Sequence, residues 1–257
     1  PFWVSYPDMV LLAGGKPKIV KCSEAENFKI TPNKLRKAIS KKTKWLILNS
    51  PSNPTGASYT KAEIIKLSKV LTKHKRIHVL SDDIYEHITY DKSKYFTTAQ
   101  ISNLKNRTLT MNGVSKSYAM TGWRIGFGAG PSWLIEAMEK LQGQQTSGAC
   151  SISQHAALAA LTGPQNFIEE SRVIFQRRRD LVVKLLNESP GLSCEVPQGA
   201  FYVFASCAGL LGKSSPLGMP LLTDEDVVNA LLDEAGVATV HGSAFGLGPY
   251  IRVAYAL

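Results

Sequence analysis

The 257 residues are 44% hydrophobic and 19% charged, with no low-complexity stretch, so the chain can bury a core for one or two domains and is not a disordered segment. Lys and Arg number 30 against 20 Asp and Glu, a net charge of +10. Much of it lies in the clusters 37–44, 66–76 and 177–179, which lack interleaved aromatics or a nucleic-acid-binding module and read as solvated helix faces. No apolar run approaches the roughly 20 residues that span a bilayer. Cys22, Cys150, Cys194 and Cys207 have no CxxC spacing, which predicts reduced thiols in a cytoplasmic protein and no zinc site.

Taken in chain order, residues 1–15 form an apolar, aromatic run closed by a Gly-Gly turn. Residues 17–22 (PKIVKC) read as a strand and 32–39 as a short helix. An apolar strand at 44–50 runs into PSNPTG, which is turn chemistry throughout. Thr60 opens a helix, with Glu63 placed for a capping box. Strands follow at 77–83 and 108–115. After the segment SYAMTGW, a second apolar run begins at Arg124. Strand, helix, strand and strand in succession predict an α/β layer of mostly parallel strands flanked by helices. Helices are predicted over 131–145, 151–161 and about 164–188. Past Pro190-Gly191 come short strands (192–196, 200–206), a Gly/Pro/Ser-rich loop (209–220), a helix capped by Thr223 and stopped at Gly236, and further strands at 237–242 and 250–256. This predicts a large domain over 1–165 and a smaller α+β domain over 166–257.

In parallel sheets, ligands gather at the carboxyl ends of the strands. The polar residues at those ends are 49–53, 81–85 and Ser115-Lys116. Lys116 and Arg124 stand eight positions apart at the two lips of one turn. A deprotonated lysine amine condenses with an aldehyde, and an arginine fork grips a phosphate or carboxylate. One aldehyde that also carries a phosphate, pyridoxal phosphate, satisfies both. Each candidate also has a plainer reading. Lys116 is either surface decoration or partly buried with a lowered pKa. Asp82 is either an N-cap or the partner of a cation such as a pyridinium nitrogen. Tyr85 is either a buried core tyrosine or a donor to a pyridoxal phenolic oxygen. Asn53 is either a turn residue or a ligand. Trp3 is either core or a stacking face. Arg252, alone in an apolar strand, either points out from an edge strand or receives an anion such as a substrate carboxylate.

Together the segments SPSNPTG, LSDDIYE, NGVSKSYAMTGWRIGF, PQGAFYVF and HGSAFG…IRVAYA resemble the pyridoxal-phosphate aminotransferases of fold type I. They occur in that family's order and spacing along the whole chain. The wording is most similar to the bacterial aspartate aminotransferases, including the branch that accepts prephenate. The resemblance implies that Lys116 bonds the cofactor and shuttles the substrate α-proton, and that Asp82 pairs with the pyridine nitrogen. Tyr85 and Asn53 would bond the phenolic oxygen, Ser115 and Arg124 the phosphate, Trp3 the ring face and Arg252 the substrate α-carboxylate. The implied function is amino transfer from aspartate to 2-oxoglutarate, in amino acid metabolism, by a cytoplasmic homodimer. Its partners are amino acids and keto acids, with no metal, nucleic acid or membrane.

Two features depart from the pattern. The family has a large part before the first aromatic segment, supplying a further phosphate loop, and a final helix after Arg252, so the chain is expected to be truncated at both ends. Some aspartate aminotransferases hold the substrate side-chain carboxylate with an arginine in the stretch matching 141–150, which here contains none. An aromatic or prephenate aminotransferase, a lyase or synthase on the same fold, and a cofactor-sensing regulator domain are the alternatives.

Overall fold

The computed structural model describes residues 1–256. In chain order the elements are α1 (Ser5–Leu12), α2 (Pro32–Ala38), β1 (Trp45–Asn49), α3 (Lys61–Leu71), β2 (His78–Asp82), α4 (Ser102–Lys105), β3 (Thr108–Gly113), β4 (Gly126–Ala129), α5 (Ser132–Gln145), α6 (Ser151–Thr162) and α7 (Asn166–Glu188). There follow β5 (Tyr202–Ser206), β6 (Lys213–Ser214), β7 (Pro220–Leu221), α8 (Asp224–Ala235), β8 (Val240–His241) and β9 (Tyr250–Ala254). The chain divides into two compact units. One comprises Thr31–Pro51 with Tyr59–Arg172; the other comprises Pro1–Ile30, Ser52–Ser58 and Val173–Leu257.

The first unit is the α/β layer. Its sheet has the order β1-β2-β3-β4, with the first three strands parallel and β4 antiparallel. The register Asn49↔Asp82↔Met111 brings the carboxyl ends of β1, β2 and β3 to one edge. Helix α3 starts where its capping box predicts: Thr60 Oγ1 accepts from the Glu63 backbone N–H, and Glu63 accepts from Thr60 N–H at 2.8 Å. Ile64, Leu67, Ser68 and Leu71 then fall on one buried face at helical spacing. Beyond its other end, the Arg107 guanidinium donates to the carbonyls of His74 (2.9 Å) and Ile77 (2.8 Å). These carbonyls lie in the turn that links α3 to β2, so Arg107 joins that turn to the start of β3.

The second unit has a sheet in the order β5-β9-β8, all antiparallel, and a two-stranded ribbon of β6 and β7. Helix α8 carries a Thr223/Asp226 capping box and ends on Gly236 in the left-handed region (φ 65°). Gly56, at the end of the PSNPTG turn, is also left-handed (φ 66°), and its carbonyl accepts from the N–H groups of Gln198 (3.1 Å) and Gly199 (2.9 Å). A Cβ there would lie 2.5 Å from Pro197 Cβ and 2.6 Å from the Gly199 carbonyl oxygen. Gly56→Ala is therefore expected to cost about 3 kcal/mol, the sum of left-handed strain and overpacking, measured as a loss of stability in urea.

Two local expectations change. Residues 17–22 form no strand; only Cys22 is buried there, and apolar alternation without a neighbouring ladder makes no sheet. Residues 192–196 contribute a single bridge, Ser193↔Ser206. The opening apolar run, to which the sequence assigned no element, contains a helix, α1, with no buried residue. The compact units part inside α7, and the first thirty residues group with the C-terminal part. Long-range contacts explain this. Phe2 N–H donates to the Phe245 carbonyl, and the Phe28 ring meets Phe204 and Tyr250 edge-on.

Candidate functional site

The candidate residues fall into two sets, one in each unit. In the α/β unit, β3 delivers Ser115 and Lys116, both half-buried, and the turn after them carries Arg124, which is exposed. Val114 and Ile125 pin the two lips of this turn, buried with Ala157 and covered by Tyr118 and Met120. Across the turn, Thr121 Oγ1 donates to the Ser115 carbonyl (2.9 Å), and Ala119 N–H donates to that of Lys116 (3.1 Å). Ala119 (φ 51°) and Arg124 (φ 55°) are non-glycine residues in the left-handed region. Each such conformation costs about 1 kcal/mol or more, and this strain collects where function fixes geometry. The lysine and arginine eight positions apart thus stand on one constrained turn. β3 and β4 approach closely at Gly113, where a Cβ would lie 2.9 Å from the Ile125 carbonyl oxygen.

On the neighbouring strand, β2 ends in two consecutive carboxylates that face different ways. Asp82 is half-buried and accepts from Ile84 N–H (3.3 Å), while Asp83 is buried. Tyr85 is also buried. Ser81 Oγ and Thr97 Oγ1 donate to the Asp83 carboxylate at 2.8 and 2.7 Å. Burial pushes the Asp83 carboxyl up to about 6, against the pull of the surrounding hydroxyls, and burial beside this carboxylate raises the Tyr95 phenol. The sign of the linkage follows: the stability Asp83 contributes is fully present below its unfolded value near 3.8 and is lost as pH rises through about 6. The expected loss is on the order of 3 kcal/mol. Urea denaturation of wild type against Asp83→Asn between about pH 4 and pH 7 checks this; the variant loses that part of the slope.

In the other unit, Arg252 lies on β9, the central strand of its sheet, so the edge-strand explanation does not hold. Its guanidinium carbon sits 4.7 Å from the Tyr202 ring centre and 4.9 Å from that of Phe245, and Nη1 donates to Asn53 Oδ1 at 2.9 Å. Two aromatic faces and one amide orient a half-buried planar fork, which suits bidentate recognition of a carboxylate. Asn53 is buried. Trp3 is half-buried and meets Tyr6 edge-on at 5.3 Å. Sequence reading did not find the rings beside Arg252 or the anchoring of Asp83. The first had a signal in the aromatic residues of PQGAFYVF and HGSAFG.

Other chemistries have less support. Burial pushes the thiols of Cys194 and Cys207 up to about 12 and 11, far from the range of a nucleophile. Among the described residues, no cluster of His, Cys, Asp and Glu is grouped to hold a metal ion, and no helix is long and apolar enough to cross a membrane.

The family model for aminotransferase class I and II matches residues 1–257. The chain belongs to that family. The aminotransferases of this class are in general pyridoxal-phosphate-dependent and bind amino acid and keto acid substrates. A protein of Rhizobium leguminosarum bv. phaseoli described as a probable aspartate/prephenate aminotransferase is 58% identical, across all of this chain and 64% of its own. The crystal structure of the aspartate aminotransferase from Rhizobium meliloti superposes with a TM-score of 0.96 at 53% identity, again covering all of this chain and 64% of that one. An aromatic aminotransferase from Pyrococcus horikoshii OT3 superposes at 0.91 with 40% identity, across this whole chain and 67% of that chain. The chain thus spans about two thirds of the length of these aminotransferases. The fold is that of the type I enzymes: a mostly parallel sheet flanked by helices, with a smaller α+β part.

The α/β set fits the family's cofactor by its donor chemistry. The amine, hydroxyl and guanidinium of Lys116, Ser115 and Arg124 are the groups an aldehyde and a phosphate require. A carboxylate at the adjacent strand end suits a protonated ring nitrogen.

Proposed function

We propose that the complete protein is an aspartate aminotransferase that transfers an amino group from aspartate to 2-oxoglutarate with pyridoxal phosphate. The observation that supports the cofactor chemistry is the constrained turn presenting Ser115, Lys116 and Arg124 beside the Asp82 strand end, and the choice of aspartate rests on relatives named aspartate or aspartate/prephenate aminotransferase. The bound cofactor supplies an electron sink for the charge that develops at the substrate α-carbon. Lys116 Nζ holds the cofactor and then moves the α-proton away and back. Asp82 keeps a proton on the ring nitrogen by pairing with its positive charge. By the family resemblance, Tyr85 and Asn53 would serve the phenolic oxygen, Ser115 and Arg124 would hold the phosphate, and Trp3 would offer a ring face. Arg252 takes the α-carboxylate in its fork, with Asn53 orienting it. The same resemblance supports a cytoplasmic homodimer, and a domain division near 165 remains our proposal for the complete protein.

A second reading keeps the chemistry and changes the substrate to an aromatic amino acid or prephenate. Two observations favour it: 141–150 contains no arginine to hold a side-chain carboxylate, and relatives carry aspartate/prephenate and aromatic names. Steady-state kinetics of the complete enzyme on aspartate, phenylalanine, tyrosine and prephenate, each with its partner acid or amine, separates the two. The first reading expects aspartate to have the largest kcat/KM among the amino acids and 2-oxoglutarate among the keto acids, and prephenate preferred to 2-oxoglutarate would overturn it. A preference for an aromatic substrate by about tenfold or more would overturn it in favour of the second.

A further inference from the structure

We propose that Asp83, the second of the two adjacent carboxylates, is a positioning residue that fixes the turn carrying Asp82 and Tyr85. This rests on the reading that those two residues contact the cofactor. Asp83 is only 2% exposed. A buried carboxylate is costly unless its hydrogen bonds are made. What the carboxylate provides is direction. Its Oδ1 receives Ser81 Oγ–H at 2.8 Å, from the residue just before Asp82. Its Oδ2 receives Thr97 Oγ1–H at 2.7 Å, from a segment fourteen residues away. The backbone is held as well: Asp83 N–H donates to the Met111 carbonyl of β3 (2.8 Å), and Glu86 N–H donates to the Asp83 carbonyl (2.9 Å).

The turn 82–86 is thereby fastened on three sides, to its own strand, to β3 and to the 97 segment. A further bond continues from it towards the lysine. Asn112 Nδ2 donates to Glu86 Oε1 at 2.6 Å, and Asn112 Oδ1 accepts from Gly113 N–H at 2.8 Å. Asn112 lies four residues before Lys116 on the same chain segment. Asp83 therefore holds one end of a hydrogen-bonded frame that runs from Thr97 through the Asp82–Tyr85 turn to β3. Asp82 and Tyr85 reach a ligand only in the geometry this frame imposes.

The test uses the complete protein freed of cofactor and titrated with pyridoxal phosphate. Affinity is read from the visible band of the lysine-bound cofactor, and the pH midpoint of that band is read separately. Asp83→Ala is expected to weaken cofactor binding about tenfold and to move the midpoint, because the groups that tune the ring lose their alignment. Asp83→Asn keeps an acceptor for Ser81 and a polar partner for Thr97, and is expected to stay within about threefold of wild type. Thr97→Val removes one anchor at nearly constant shape. It is expected to weaken binding about threefold, and it decides the matter should Asp83→Ala not fold. Unchanged affinity and midpoint in Asp83→Ala, or in Thr97→Val when that variant decides, assign Asp83 to stability alone and overturn the inference while the functional reading stands. A wild-type protein that develops no such band overturns both.

Discussion

Lys116→Ala in the complete protein is expected to abolish the visible band of the lysine-bound cofactor and to lower transamination at least about 10³-fold. Two contributions combine. The amine is the attachment point, and it is also the group that moves the α-proton, a role that alone contributes about 10² to 10⁴. Arginine does not substitute, because it stays protonated and cannot act as nucleophile or base. The surrounding turn survives the change: Val114 and Ile125 remain buried, and the Thr121–Ser115 bond does not involve the lysine side chain. A variant that retains both the band and full turnover removes Lys116 from the mechanism.

Arg252→Ala is expected to lower kcat/KM for the amino acid substrate by about 10² to 10³, mostly through a higher KM, while cofactor affinity changes little. The magnitude is that of losing a charge-assisted, two-point contact with a carboxylate. Arg252→Lys should recover only a small part, because an ammonium lacks the planar fork that lies against the Tyr202 and Phe245 rings and bonds Asn53. Asn53→Ala should lower kcat/KM more weakly and, unlike Arg252→Ala, should also weaken cofactor binding, because the same amide is assigned to the phenolic oxygen. The measurement is a full kinetic comparison with the cofactor dissociation constant determined in parallel. A loss below about fivefold in Arg252→Ala would show that the carboxylate is bound elsewhere.

These expectations differ in how far sequence alone could carry them. The Lys116 turn was legible as a turn because Ser115, Lys116 and Arg124 lie within ten residues, between two apolar runs. The helix starts at Thr60 and Thr223 and the stop at Gly236 were legible for the same reason: a cap is a contract between residues three or four apart. By residue pattern alone Asp82 and Asp83 were not separable, and only the resemblance singled out Asp82, since neighbours on a strand differ in which face they meet, and the fold decides which face is core. Residues 17–22 have a strand's pattern and lack its partner. Arg252 had two readings until β9 appeared between β5 and β8.

The sequence by itself determined the family resemblance, the order of strands β1 to β3 and helices α3 and α5 to α8, and the residue types at each strand end. Those depend on short-range spacing, turn residues and caps, which act within a few positions along the chain. Only the tertiary structure decided which carboxylate is buried and held by Ser81 and Thr97, and which rings flank Arg252. It also decided that residues 1–30 and 52–58 pack with the C-terminal unit. Each of these depends on groups brought together from distant parts of the chain, whose pairing is set by burial and hydrogen-bond satisfaction and leaves little mark on local sequence.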